Sequence, residues 1–192
     1  MAGTKERIME ATAELFRRQG YTGTGLKQIA AAAGAPFGSL YHFFPGGKEQ
    51  LSEAVIRSSG DMYFGLFEAI MSASPDVATG VANFFSGAAG VLRETGYADA
   101  CPIETIALEV ASTNETLRIA TADVFESWIS GMTRYFGAAG IPPRSARDLA
   151  MVVIAALEGA FVLSRAMRTT EAVDAAGVSA AAAVRAAMPG QG

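Results

Sequence analysis

Side chains that can donate a hydrogen bond to an oxyanion are concentrated between Thr24 and Lys48. The hydroxyls of Thr24 and Tyr41, the imidazole of His42 and the ammonium group of Lys48 are all donors to phosphate oxygens. Gly38 lies among them and is small enough to let a helix backbone approach another surface closely. This set predicts non-covalent binding of a polyanion, without bond-breaking chemistry.

Two short helices are predicted to position these donors. In the first helix, four apolar residues recur at i, i+3, i+4 and i+7: Leu26, Ile29, Ala30 and Ala33. Thr24 is a suitable N-cap for it, Gly34 ends it, and Pro36 fits the first turn of the second helix. The pair has the form of a helix-turn-helix whose second member fits a DNA major groove. From the residues alone, a plain structural hairpin stays an equal alternative.

The sequence GYTGTGLKQIAAAAGAPFGSLYHFFPGGKEQL follows an amphipathic opening helix, and together they resemble the N-terminal DNA-binding domain of the TetR family over about residues 4–57. The segments PGGKE, ACPIETIALEVAS and ALEGAFVLSRA are similar to the LmrA/YxaF branch of that family. The resemblance implies contacts with double-stranded operator DNA. The expected contact residues are Thr24, Lys27, Phe37, Gly38, Ser39, Tyr41, His42 and Lys48.

Phe37 departs from the family pattern, which often has Lys or Arg before this glycine. A phenylalanine cannot neutralise phosphate. It can contact a thymine methyl group, wedge against DNA, or pack on a neighbouring helix. The sequence leaves these three roles open.

The charge distribution favours a basic N-terminal end. The whole chain has a formal net charge of -4, but residues 1–50 contain six basic and four acidic residues, for a net charge of +2. The remaining residues therefore carry a net charge of -6. This asymmetry directs the N-terminal end towards a polyanion.

The sequence offers no convincing catalytic or metal-binding arrangement. His42 is the only histidine and Cys101 the only cysteine, and Glu104 and Glu109 are isolated among apolar residues. We expect no enzyme activity, no metal and no cofactor. The polar N-terminus, the lone cysteine and the short apolar run 149–163, which contains Glu158, predict a cytoplasmic protein without a membrane span.

The fold class is predicted to be all-α, with about nine helices. Residues 1–48 are expected to form a three-helix DNA-binding domain, and residues 49–192 a ligand-binding and dimerisation domain. Helix four, at about 47–72, would link the two mechanically. Helix five is expected to begin at Ser74-Pro75-Asp76, and Ser145 with Asp148 resembles a capping box for helix eight. The remaining helices are expected at about 4–19, 102–110, 115–138 and from 170 to before Pro189.

Two sets of apolar residues in the larger domain have either a core role or a binding role. The first set, as the resemblance implies, would line a pocket for a neutral or cationic, flat, lipophilic effector: Met62, Phe67, Phe85, Cys101, Trp128, Met132 and Phe161. The second set would form a two-fold four-helix interface between helices eight and nine of two subunits: Val153, Leu157, Ala160, Val173, Ala180 and Val184.

The function expected from the sequence is a dimeric transcriptional repressor that binds a palindromic operator and is released by a small effector. Two alternatives stay open. One is a helical small-molecule-binding protein or enzyme that lacks DNA function, which Phe37 favours. The other is an activator or nucleoid-type DNA-binding protein.

Overall fold

The computed structural model describes residues 3–99 and 101–190, which form nine α-helices and no strand. The helices are α1 Thr4–Gln19, α2 Leu26–Ala32, α3 Phe37–Phe43, α4 Gly47–Ala73, α5 Val77–Glu94, α6 Pro102–Val110, α7 Glu115–Ala138, α8 Pro143–Met167 and α9 Glu171–Ala187. The predicted all-α fold is confirmed. The predicted bounds of α6 and α7 agree with the structure.

The described residues form two compact units. The first contains residues 3–61 and 101–124, and the second contains residues 62–99 and 125–190. Both α4 and α7 contribute residues to each unit. The expected boundary after residue 48 marks the end of the helix-turn-helix, whereas the first unit also takes in the first part of α4, all of α6 and the first part of α7.

The core of the first unit is built around α1. Its buried face carries Ile8 and Phe16, both fully buried, and Phe44 at the end of α3 is also buried. The Arg7 guanidinium donates through Nε to the Ala33 carbonyl oxygen at 3.2 Å, which ties α1 to the end of α2. The three helices α1, α2 and α3 pack against one another. The expected anchoring of α3 by Phe44 agrees with this arrangement.

Several helix starts differ from those predicted. Asp76 is the N-cap of α5, where its carboxylate accepts from Thr79 N at 2.8 Å and Thr79 Oγ1 at 2.8 Å. The hydrogen bonds from Thr79 lower the pKa of this carboxyl. The N-cap of α8 is Pro142, so the expected capping box lies inside the helix and is wrong. Helix α7 begins at Glu115, as expected. Its first turn is capped by Asn114, whose Oδ1 accepts from Leu117 N at 2.9 Å.

The core of the second unit includes the packing of α9 against α5 and α8. Gly177 of α9 lies against Phe85 of α5, where an added Cβ would come within 2.6 Å of Phe85 Cβ. Phe67 is buried, and its ring contacts those of Phe84 at 5.3 Å and Tyr135 at 5.7 Å. Close helix approach and aromatic packing therefore account for much of this core.

Helix α8 is unusually apolar. Among the described helices it alone is long and apolar enough to cross a membrane by length and composition, with a third of the relevant segment buried. Core helices of soluble proteins meet the same criterion. The helix is 25 residues long and includes the whole apolar run 149–163.

Candidate nucleic-acid interface

The loop between α1 and α2 is held by side chains from both ends. Thr24 Oγ1 donates to the Gly20 carbonyl oxygen at 2.7 Å, and Gln19 Nε2 donates to the Gly23 carbonyl oxygen at 2.8 Å. Gln19 Nε2 also lies 2.8 Å from Gln28 Oε1 on α2. These bonds fix the path of the chain from the end of α1 to the start of α2. They therefore fix the placement of the helix-turn-helix.

Glu109 of α6 completes the fixation of this loop. Its carboxylate accepts from the backbone N–H of Tyr21 at 3.0 Å and from that of Thr22 at 2.7 Å. Gly20 has φ +75°, and an ideal Cβ at this position would overlap Glu109 Oε1. The close approach of the carboxylate therefore requires glycine at position 20.

Sequence reasoning missed this role of Glu109. The residue is 88 positions from Tyr21, and nothing in its local apolar surroundings indicates a partner. Only the packing of α6 against α1 brings the carboxylate to the loop.

Lys48, in the first turn of α4, contacts the same loop. Its Nζ donates to the Tyr21 carbonyl oxygen at 2.6 Å and lies 4.0 Å from the centroid of the Tyr21 ring. Burial lowers the pKa of Lys48, and the opposing effect of the Glu109 carboxylate is smaller. Burial, Glu49 and Glu109 raise the pKa of Tyr21. An ammonium group has three donors, so binding to Tyr21 does not use all of them.

The turn between α2 and α3 has the geometry expected for it. Gly34 has φ +57°, in the left-handed region that favours glycine. The N–H groups of Gly34 and Ala35 donate back to the carbonyl oxygens of Ala31 at 3.1 Å and Ala30 at 3.0 Å. The one difference is at Pro36, which is the N-cap of α3 rather than its first residue.

One face of α3 is presented to solvent. Phe37 is 42% exposed, Tyr41 is 49% exposed, and Gly38 and His42 are also exposed. No atom lies within 4 Å of the position that a Cβ on Gly38 would occupy, apart from its own helix and neighbours. Leu40 points the other way and is buried. The exposed face thus combines aromatic rings, hydrogen-bond donors and an open backbone.

The other expected DNA-contact residues divide into three groups. Lys27 is exposed on α2, and Ser39 is half-buried. The expectation for Thr24 is wrong in two respects: its side chain is 1% exposed, with its hydroxyl bonded to Gly20, and the N-cap of α2 is Gly25. Thr24 is a structural residue of the loop because its hydroxyl is already used inside the chain.

The predicted effector-contact residues are divided between the two units. Cys101 belongs to the first unit, whereas the other six belong to the second. Met62 is 56% exposed. Phe67 and Phe85 are buried in the aromatic core. Trp128, Met132 and Phe161 are buried or half-buried, and Trp128 contacts the Phe125 ring at 5.7 Å.

The predicted dimer-contact residues lie in the subunit core. All six are between 0 and 8% exposed: Val153, Leu157, Ala160, Val173, Ala180 and Val184. The α9 members share a helical face with Gly177, which packs on Phe85. The prediction for these residues is wrong, because the more regular apolar face of each helix is used within the chain.

Comparison with known proteins defines the class. Residues 8–55 match the family described as "Bacterial regulatory proteins, tetR family". Residues 77–179 match "Transcriptional regulator LmrA/YxaF-like, C-terminal domain".

Among the described residues, no group of three or more His, Cys, Asp or Glu side chains is placed to hold a metal.

Curated relatives and solved structures agree with this assignment. The HTH-type transcriptional regulators YxaF and LmrA of Bacillus subtilis (strain 168) are each 34% identical to this chain over 161 residues, which is 84% of this chain and 84% and 86% of theirs. A TetR regulator from Legionella pneumophila has a TM-score of 0.84 at 22% identity, covering 98% of this chain and 99% of that one. This last likeness concerns the fold.

The chain therefore belongs to the TetR family of bacterial transcriptional regulators. Its C-terminal part is of the LmrA/YxaF-like type, as the sequence resemblance indicated. Proteins of this family are regulators rather than enzymes.

Replacing Glu109 with Ala should expose the amides that its carboxylate binds. We expect hydrogen exchange at the Tyr21 and Thr22 amides to accelerate about tenfold, since a hydrogen bond to a charged group contributes on the order of 1.5 kcal/mol. Two-dimensional NMR exchange measurements would detect this. Glu115→Gln, which alters a carboxylate paired with Arg118 in the same unit, is the control. Unchanged exchange in Glu109→Ala would contradict the positioning role.

Proposed function

We propose that this protein is a cytoplasmic, dimeric repressor that binds a partly palindromic DNA operator and is released by a small lipophilic effector. The observation that carries the DNA-binding part is the exposed face of α3, which presents Tyr41 and His42 beside the open backbone of Gly38. A helix of this size fits a major groove. In a two-fold dimer, two such helices reading one face of B-DNA lie about 34 Å apart.

In this proposal, phosphate contacts supply affinity and side chains of α3 supply sequence choice. Lys48 has donors beyond the one bonded to Tyr21, and Tyr41 and His42 are exposed donors. Lys27 adds an exposed positive charge on α2. Thr24 is removed from the contact set, since its hydroxyl is internal.

The dimer surface that we propose is the second apolar face of α8 with the outer face of α9. Its large side chains are exposed by 41–72%: Met151, Val152, Val162, Leu163, Met167 and Val178. Small residues between them allow close helix approach, and include Ala155, Gly159, Ala166, Ala175 and Ala182. At 100° per residue, the α8 members form one broad stripe on the side opposite the buried face. A four-helix interface between two subunits would cover this stripe.

The effector site that we propose lies in the second unit, around Trp128 and Met132. Both are buried and apolar, and the half-buried Phe125 ring contacts that of Trp128 at 5.7 Å. Such surroundings suit a flat, lipophilic, neutral or cationic compound. Because α4 contributes to both units, displacement of this helix by an effector would disturb the position of α3 in each subunit. Coupling of this kind is typically about 1–3 kcal/mol, or roughly 5–150-fold in operator affinity.

The Lys48 contact can be tested through salt dependence. A duplex selected from a random library with the wild-type protein would be titrated by fluorescence anisotropy between about 50 and 200 mM salt. Lys48→Ala should reduce the slope of log affinity against log salt by about two in a dimer, one for each lost phosphate contact. Arg118→Ala, which removes an exposed arginine paired with Glu115, is the control. If Lys48→Ala binds more weakly but the salt slope is unchanged, Lys48 positions the loop and does not contact phosphate.

The same selection tests the alternative of a helical protein without DNA function. Enrichment of a two-fold symmetric sequence by the wild-type protein supports the proposal. Enrichment of no sequence favours the alternative. A reporter assay with the selected sequence upstream of a promoter then separates repression from activation.

Introducing charge on the outer face of α8 or α9 should produce monomers. We expect Leu163→Glu and Val178→Glu each to weaken association by about 100-fold or more, because each would bury an unpaired carboxylate in the interface. Sedimentation velocity gives the oligomeric state, and circular dichroism confirms that the helices persist. Val91→Glu, on an exposed residue of α5, should remain dimeric. Persistent dimers in both α8 and α9 variants would refute this interface.

Trp128 is the only tryptophan, so its fluorescence can report on a nearby ligand. Rhodamine 6G, a flat lipophilic cation, should quench this fluorescence and release the selected duplex. Trp128→Ala should lower the releasing effect while operator affinity without the dye stays within about twofold of wild type. Trp128→Phe, which keeps an aromatic ring, should retain more of the response. Parallel loss of operator binding would instead indicate a folding defect.

A further inference from the structure

Phe37 is a large apolar side chain left in solvent at the start of α3. It is 42% exposed, so a large part of its ring faces solvent. Its ring contacts that of Tyr41, four residues later on the same helix, with centroids 5.8 Å apart and planes at 76°. The exposed part of the ring is therefore available for either of the two DNA-contacting roles that the sequence leaves open.

The position of Phe37 in α3 favours a contact with bases. Phe37 is the first residue of the helix, and residues at the N-terminal end of a recognition helix contact base edges in the major groove. A phenyl ring has no hydrogen-bond donor or acceptor. The one apolar group that bases present in the major groove is the C5-methyl group of thymine.

Tyr41 limits the directions available to the Phe37 ring. The two side chains are at i and i+4 on one helical face, where they are neighbours. The edge-to-face geometry is a favourable arrangement for two aromatic rings. The pair thus presents an oriented apolar surface beside the open backbone of Gly38.

We propose that Phe37 is a specificity-determining residue that contacts the C5-methyl group of one thymine in each operator half-site, with Tyr41 as its positioning residue. The inference rests on the proposed function, because it requires that α3 enters a major groove. It adds that one base position is read by an apolar contact in place of a charged one.

The test uses duplexes that differ by single methyl groups. Starting from the sequence selected with wild-type protein, each thymine would be replaced in turn by deoxyuridine, which lacks only the C5-methyl group. At the contacted thymine, wild-type affinity should fall about fourfold for one half-site and about 15-fold for both, since burial of one such group contributes about 0.8 kcal/mol. Other thymines should show little change.

Variants at position 37 then assign the effect. For Phe37→Ala, the thymine and deoxyuridine duplexes should bind equally, which completes a double-mutant cycle. Phe37→Lys should also lose methyl discrimination, and should increase the salt slope by about two in a dimer. Leu108→Ala, at a 75% exposed leucine on α6 in the same unit, should discriminate like wild type.

The positioning role of Tyr41 has its own readout. Tyr41→Phe keeps the ring and should keep methyl discrimination, although it loses a hydroxyl donor. Tyr41→Ala should reduce discrimination beyond its effect on overall affinity.

The outcomes separate this inference from the proposed function. Wild-type protein that enriches no DNA overturns both. Wild-type protein that binds a palindromic duplex, but discriminates no thymine from deoxyuridine, overturns only the role of Phe37. A methyl effect that persists unchanged in Phe37→Ala also overturns it, because another residue would then make the contact.

Discussion

The placement of the helix-turn-helix depends on a short loop whose backbone N–H groups are bonded by a side chain from a distant helix. The loop between α1 and α2 turns through Gly20 and leaves the amides of Tyr21 and Thr22 outside any helix. The Glu109 carboxylate accepts from both, and Lys48 donates to the Tyr21 carbonyl oxygen from the other side. Because hydrogen bonds that involve a charged group are stronger than neutral ones, these two side chains favour one path for the loop. That path sets where α2, and therefore α3, can lie relative to α1.

The exposed part of the helix-turn-helix follows from this internal fixation. Polar groups near the loop, among them Thr24 and Gln19, are used to hold the backbone. The side chains left for an external partner are on α3, where Phe37, Tyr41 and His42 face solvent. In the proposed function Lys48 would belong to both groups, because one of its three donors is enough for Tyr21. Because some of these donors are bonded within the chain, a cluster of donors in the sequence does not show which of them contact an external partner.

In the second unit, the same distinction applies to apolar residues. Helix α8 has two apolar faces, one inside the unit with Val153 and Leu157, and one outside with Val162 and Leu163. A sequence pattern identifies both as apolar at helical spacing, and gives no measure of which face meets α9 and α5. The expected interface was therefore assigned to the buried face. Because that face is buried within the folded chain, the proposed dimer interface lies on the opposite face of α8.

The sequence by itself determined the order of the helices in the described residues, the turn at Gly34, the bounds of α6 and α7, and the family. These features depend on residues that are close along the chain, where spacing and backbone preference decide the outcome. Tertiary structure decided the rest: that Thr24 is internal, that Phe37 is exposed beside Tyr41, and that Glu109 binds a loop 88 positions away. A side chain's role depends on which partners reach it, and distant partners are brought together only when the helices pack.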